Sequence, residues 1–220
     1  MVPISIFATS TTGDVPGGPL GSGGFRDVND FAKDTSWLHT VFADYATYGV
    51  VLFGVLLVVG YLMARSSGGI SQVANALWAA GGMGVAIGLN QLVAHAVSEP
   101  RPFVALPNVL LLVHHSTDAG FPSDHAVMAG AVAAGLFLVS RVLGWITAAA
   151  AVLLAFARVY VGVHYPQDVL AGLALGVVVV LVTGFLVRRL LVAVLTALTH
   201  TPLRWTVASR RRLAWLHTRA

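Results

Sequence analysis

Six residues between positions 101 and 168 have the types and spacing of a phosphoryl-transfer site: Arg101, Ser123, His125, Arg158, His164 and Asp168. Pro122-Ser123-Asp124-His125 stands at the mouth of a long apolar run. Proline presets a first helical turn and serine is a favoured N-cap, so the motif predicts a helix start. Such a start aims free N–H groups, the positive dipole end and a hydroxyl at one point, which is an anion site. His125 lies in the same turn, able to give or take a proton. Further on, Asp168 follows His164 by four residues, with Pro166 suited to the N1 position of a helix. A carboxylate so placed holds one imidazole nitrogen and leaves the other as nucleophile or base. Arg101 and Arg158 offer planar forks for phosphate oxygens. Positioning and charge neutralisation carry most of this chemistry, so the set calls for no metal and no cofactor.

The elements that must position these groups are apolar. The chain has 220 residues, 57% of them hydrophobic and only 10% charged, far from the roughly 25% charged of a soluble domain. It reads as an all-α integral membrane bundle. Cysteine is absent, which excludes disulfides, Fe–S clusters and Cys-ligated zinc. The net charge of +4 reads as a topology signal rather than a nucleic-acid footprint.

Five spanning segments are expected, at about 46–64, 73–97, 124–140, 142–160 and 167–187, the last ended by Arg188-Arg189. Leu190 to Thr199 is too short to span alone and either extends the fifth helix or lies at the interface. Residues 1–25 read as a flexible Gly/Pro/Ser/Thr-rich arm without the charged start of a signal peptide. Asp27 to Tyr45 reads as an amphipathic helix on the membrane surface. Residues 26–200 form the transmembrane domain and 201–220 a basic cytoplasmic tail. With the N-terminus outside, nine of the 13 basic residues fall inside, and all three polar clusters face outward. Ionisable groups gathered at membrane depth are functional by default.

Arg101-Pro102, Pro122-Ser123-Asp124-His125, and Arg158 with His164 and Asp168 resemble, in order and spacing, the motifs of the type 2 phosphatidic acid phosphatase superfamily. The family's first-motif lysine falls at Ala94, its second-motif glycine at Asp124 and its third-motif serine at Ala157. The Asp variant, with Arg101-Pro102-Phe103-Val104, resembles the bacitracin-resistance branch of undecaprenyl-diphosphate phosphatases. The resemblance implies a polyprenyl-diphosphate lipid substrate, the bacterial plasma membrane, an active site on its outer face, and a part in recycling the carrier lipid of the cell wall. It further implies that His164 is the nucleophile, Asp168 its orienting group and His125 the acid and then base. Arg101, Ser123 and Arg158 would hold the equatorial oxygens. Alternatives are a phospholipid phosphatase, or a lipid-carrier binder or transporter without catalysis.

His114, His115 and Asp118 read as loop residues facing water rather than as metal ligands, and Glu99 as a partner of an arginine or of the substrate. Tyr45, Tyr48, Trp145 and Tyr160 read as interface anchors.

Overall fold

The computed structural model describes residues 21–67, 69–114 and 118–202; the expectations for residues 1–20 and for the basic tail from 203 onward lie outside them. Among the described residues every regular element is a helix. They are α1 (Ser22–Asp34), a 3-10 turn (Ser36–Leu38), α2 (His39–Ser67), α3 (Ile70–Val97), α4 (Pro102–Ala105), α5 (Asp124–Phe137), α6 (Arg141–Tyr160) and α7 (Pro166–Leu198). All five apolar segments appear in the expected order. Helices α2, α3, α6 and α7 are long and apolar enough to cross a bilayer.

Helix α5 is different. At 14 residues it is about 21 Å long, short of the roughly 30 Å of a hydrocarbon core. It ends three residues earlier than expected, with Leu138–Ser140 left for the turn into α6. Its run of Ala, Val and Gly explains how it can be short. Nearly every side chain from Ala126 to Leu136 is buried, packed against α2, α3, α6 and α7. A helix insulated from lipid on all sides has no need to reach both head-group layers. It is the axis of the bundle, and its N-terminus opens into the site.

Small residues let α7 approach it closely. A side chain on Gly172 would place its Cβ 2.8 Å from the Ser123 carbonyl and 2.9 Å from the Ala126 Cβ. One at Gly176 would meet the Ala131 nitrogen at 2.7 Å. Close backbone contact of this kind is a main source of helix association in lipid. It also sets α5 and α7, which carry His125 and Asp168, in a fixed register.

Other boundaries moved. The surface helix is two pieces: α1 starts at Ser22, inside the expected arm, and breaks at Thr35 before α2 begins at His39. The break has a partner, since the Thr35 carbonyl accepts from the Tyr160 hydroxyl at 3.1 Å. Phe25 is buried edge-on against Tyr165, which fixes the start of α1. Tyr160 is therefore core, not an interface anchor, because α1 covers it. Tyr45 is likewise half-buried, its hydroxyl donating to the Ala150 carbonyl of α6. Tyr48 and Trp145 are exposed as expected. Arg188-Arg189 does not end α7, which runs on to Leu198 and packs Leu191, Leu195 and Leu198 on the α2–α3 turn.

Asn29 of α1 ties that helix to the loop after α4. Its side-chain amide donates to the Leu110 carbonyl and its Oδ1 accepts from the Leu110 N–H, both at 2.9 Å. Leu112 in turn donates to the Val161 carbonyl at 3.1 Å. The loop after α4 is thus clamped between α1 and the α6–α7 connection. Gly162 in that connection has φ +88°, and its Cβ would run into the Leu110 carbonyl, so glycine is required there twice over.

Candidate active site

A cavity of about 520 Å³ opens where α3, α5, α6 and the two connecting loops meet. Arg101, His125, Arg158 and His164 all line it. The three polar clusters, up to 67 positions apart in the sequence, converge on one space.

His164 sits in the tight loop between α6 and α7 and is 2% exposed. Its Nδ1 is 3.4 Å from Asp168 Oδ2, within ion-pair reach but off the line of a hydrogen bond. Contacts of this length are common where an acid–base pair stands without its ligand. Asp168 is fully buried at the third position of α7, where Oδ2 also accepts the Tyr165 N–H at 2.8 Å. The carboxylate thus caps its own helix and faces the ring one turn back. Nε2 is on the side of Arg101, whose Nη1 donates to it at 3.4 Å. Burial first, then the charges of Arg158 and Arg101, push the His164 pKa well below the usual imidazole range. The ring is neutral and keeps a lone pair, as a nucleophile requires.

The arginines are anchored from behind. Arg101 caps α4; its Nε donates to the Asp118 carbonyl at 3.1 Å and its Nη2 to Asp118 Oδ1 at 2.9 Å. Gly120 leaves room for this, since its Cβ would stand 3.1 Å from Arg101 Cγ. Arg158 ends α6 and donates from Nη1 to the Ala46 carbonyl of α2 at 3.1 Å, with Nε buried and unpartnered. Two guanidiniums in one partly closed space make it strongly attractive to an anion.

Ser123 is the N-cap of α5, as its type predicts, but its hydroxyl does not cap. Oγ is buried without a hydrogen-bond partner, and the residue lies behind the cavity wall rather than on it. Pro122 precedes the cap in a cis peptide instead of occupying the first turn. The Ser123 N–H donates to the Asp168 carbonyl at 3.1 Å, so the second and third motifs are joined by backbone.

Asp124 is explained by a neighbour that sequence reasoning passed over. Its Oδ1 accepts from Asn90 Nδ2 at 2.6 Å and from Gln91 Nε2 at 2.9 Å, both on α3. Asn90 also donates to the Pro122 carbonyl at 3.2 Å. The carboxylate is a latch between α3 and the start of α5, and it favours the helix dipole there. The heptad-like spacing of Asn90 with the small buried residues of α3 was the only hint. Glu99 Oε1 accepts from Gln167 Nε2 at 2.7 Å rather than from an arginine. His114 and Asp118 are exposed loop residues as expected, and Asp118 in addition pairs with Arg101 while His114 lines the cavity mouth. His115 lies outside the described residues. Among the described residues no group of three or more His, Cys, Asp or Glu could hold a metal ion.

A family model described as the PAP2 superfamily matches residues 75–207. The chain is 33% identical over 166 residues to the undecaprenyl-diphosphatase BcrC of Bacillus subtilis strain 168, covering 75% of this chain and 81% of that protein. It is 35% identical over 153 residues to a Bacillus licheniformis protein named bacitracin transport permease protein BcrC, covering 70% and 73%. Among solved structures, the transmembrane PAP2-type phosphatidylglycerolphosphate phosphatase of Bacillus subtilis is similar with a TM-score of 0.59 at 26% identity, over 74% of this chain and 84% of that one.

Proposed function

The chain belongs to the PAP2 superfamily, and from that premise we propose that it removes the terminal phosphate of a polyprenyl diphosphate on the outer face of the bacterial plasma membrane. One observation carries the reading. A neutral, buried His164 is backed by Asp168 on one nitrogen and turned by the other toward a cavity holding two arginines and a second histidine.

The steps follow from those positions. His164 Nε2 attacks the terminal phosphorus, forming an N–P bond as the bridging P–O bond breaks. The electron pair goes to the bridging oxygen, and a protonated His125 gives that oxygen its proton, releasing the lipid monophosphate. His125, now neutral, takes a proton from water; the water oxygen bonds to phosphorus and the N–P bond breaks. Arg101 and Arg158 balance the charge on the equatorial oxygens. The Ser123 hydroxyl is buried behind the cavity wall, so in this reading the arginines, not Ser123, are the phosphate's side-chain ligands. The orientation rests on the arginine bias of the loops.

The likeness to a phosphatidylglycerolphosphate phosphatase supports a second reading, in which the same site takes a phospholipid. Phosphate release from undecaprenyl diphosphate, farnesyl diphosphate, phosphatidylglycerol phosphate and phosphatidic acid, compared by kcat/KM, separates the two. Preference for the diphosphates, lost in His164→Ala, is expected. Normal turnover by His164→Ala would sink the mechanism.

A further inference from the structure

The cavity has a second wall that the proposed mechanism leaves unused. Gln91, Ala94, His95 and Ser98 of α3 all line it, and their spacing puts them on one helical face. Arg101, Arg158, His125 and His164, from the loops and from α5 and α6, line the rest of it. A volume of about 520 Å³ far exceeds what one phosphate group fills.

The α3 wall carries no fixed positive charge. Ala94, where the family motif has lysine, contributes only a methyl. Gln91 has its amide engaged by Asp124 at 2.9 Å. Ser98 is turned back, its hydroxyl donating to the His95 carbonyl at 3.0 Å. That leaves His95. Its Nδ1 is 2.6 Å from the Gln91 carbonyl, which can only accept, so Nδ1 carries the hydrogen. The bond fixes the ring and leaves Nε2 as its second hydrogen-bonding atom. With a proton on Nε2 as well, the ring becomes a cationic donor held on a rigid helix.

Resting on the diphosphatase reading, we propose that His95 binds the second phosphate of the diphosphate ester, the one that stays with the lipid, and so sets preference for diphosphate over monophosphate. The terminal phosphate takes the arginine half, where it is cut. The adjoining phosphate then falls toward α3, and an imidazole one position after Ala94 supplies the charge that the missing lysine would have given. That phosphate is the leaving group and gains negative charge as the bridging P–O bond breaks, so the bond strengthens toward the transition state and acts on kcat/KM.

The test uses the full chain in detergent, with wild type, His95→Ala, His95→Gln and His95→Lys. Turnover of undecaprenyl diphosphate gives kcat and KM; inhibition by inorganic phosphate, which needs only the arginine half, gives a Ki. His95→Ala and His95→Gln should lower kcat/KM for the diphosphate at least about 10-fold, the scale of one charge-assisted hydrogen bond, with the phosphate Ki unchanged. His95→Lys should recover most of the loss. His95 is exposed, so truncation opens no core cavity. An unchanged kcat/KM in His95→Ala, or a phosphate Ki that rises in step with the loss, overturns the assignment. A wild type that turns over phosphatidic acid but not the diphosphate overturns instead the reading on which it rests.

Discussion

Gly172→Ala should damage the site without touching it. In an open helix position the change from glycine to alanine stabilises by about 0.5–1 kcal/mol. Gly88, with nothing within 4 Å of its would-be Cβ, is such a position on α3. At Gly172 the new methyl would stand 2.8 Å from the Ser123 carbonyl and 2.9 Å from the Ala126 Cβ, where ordinary contact begins at 3.4 Å. Both neighbours belong to the first turn of α5, and neither is the end of a flexible side chain. The helices must part by about 0.6 Å. The Ser123 N–H to Asp168 carbonyl bond, now 3.1 Å, then passes beyond hydrogen-bonding range. His125 moves with α5, while His164 and Asp168 stay with α7. A 1 Å misplacement can cost about 100-fold in rate, so 0.6 Å predicts a loss on the order of 10-fold in kcat/KM. The assay is phosphate release beside thermal unfolding in detergent, with Gly88→Ala as control. The control should be as active as wild type and slightly more stable; Gly172→Ala should be less active and less stable. If Gly172→Ala matched the control in both, the claim that α5–α7 contact sets the catalytic register would fall.

Other changes test other parts of the account. Asp168→Asn keeps the shape but removes the charge behind His164, and should lower kcat by roughly 10³-fold with little change in KM, as read by steady-state kinetics. Asn29→Ala leaves the Leu110 N–H and carbonyl without their partners and should cost about 1–3 kcal/mol, seen as a lower unfolding midpoint. His164 also gives the stability a pH dependence. Its pKa is lowered on folding, so the unfolded chain takes up a proton that the folded chain refuses. The contribution is fully present above the ordinary imidazole pKa and is lost as pH falls below about 6.5, at up to about 1.4 kcal/mol per pH unit. The difference in thermal unfolding between wild type and His164→Gln from pH 7.5 to 5 should show this slope.

The sequence carried much of this structure because the informative signals are local. Apolar runs mark the helices, and the spacing from His164 to Asp168 is one turn, which any helix start would bring face to face. What stayed hidden depends on partners distant in the chain. Thr35 breaks the surface helix because Tyr160, 125 positions away, meets it there. Asp118 looked like a solvated loop residue, and only the fold brings Arg101 to it. Asp124 is held by Asn90 and Gln91, more than 30 positions earlier in the chain, and only the fold brings them to it. The length of α5 was misjudged because a helix surrounded by protein is freed from the bilayer's length rule, and composition does not tell which helix is central.

The central claim is that His164 is the nucleophile. Undecaprenyl diphosphate labelled with ³²P in its terminal phosphate, mixed with the full chain and quenched in alkali within the first turnover, tests it most directly. The account predicts an acid-labile, alkali-stable label on the protein, mapped by peptide mass spectrometry to His164 and absent from His164→Ala. Label on another residue, or steady turnover by His164→Ala, would contradict it.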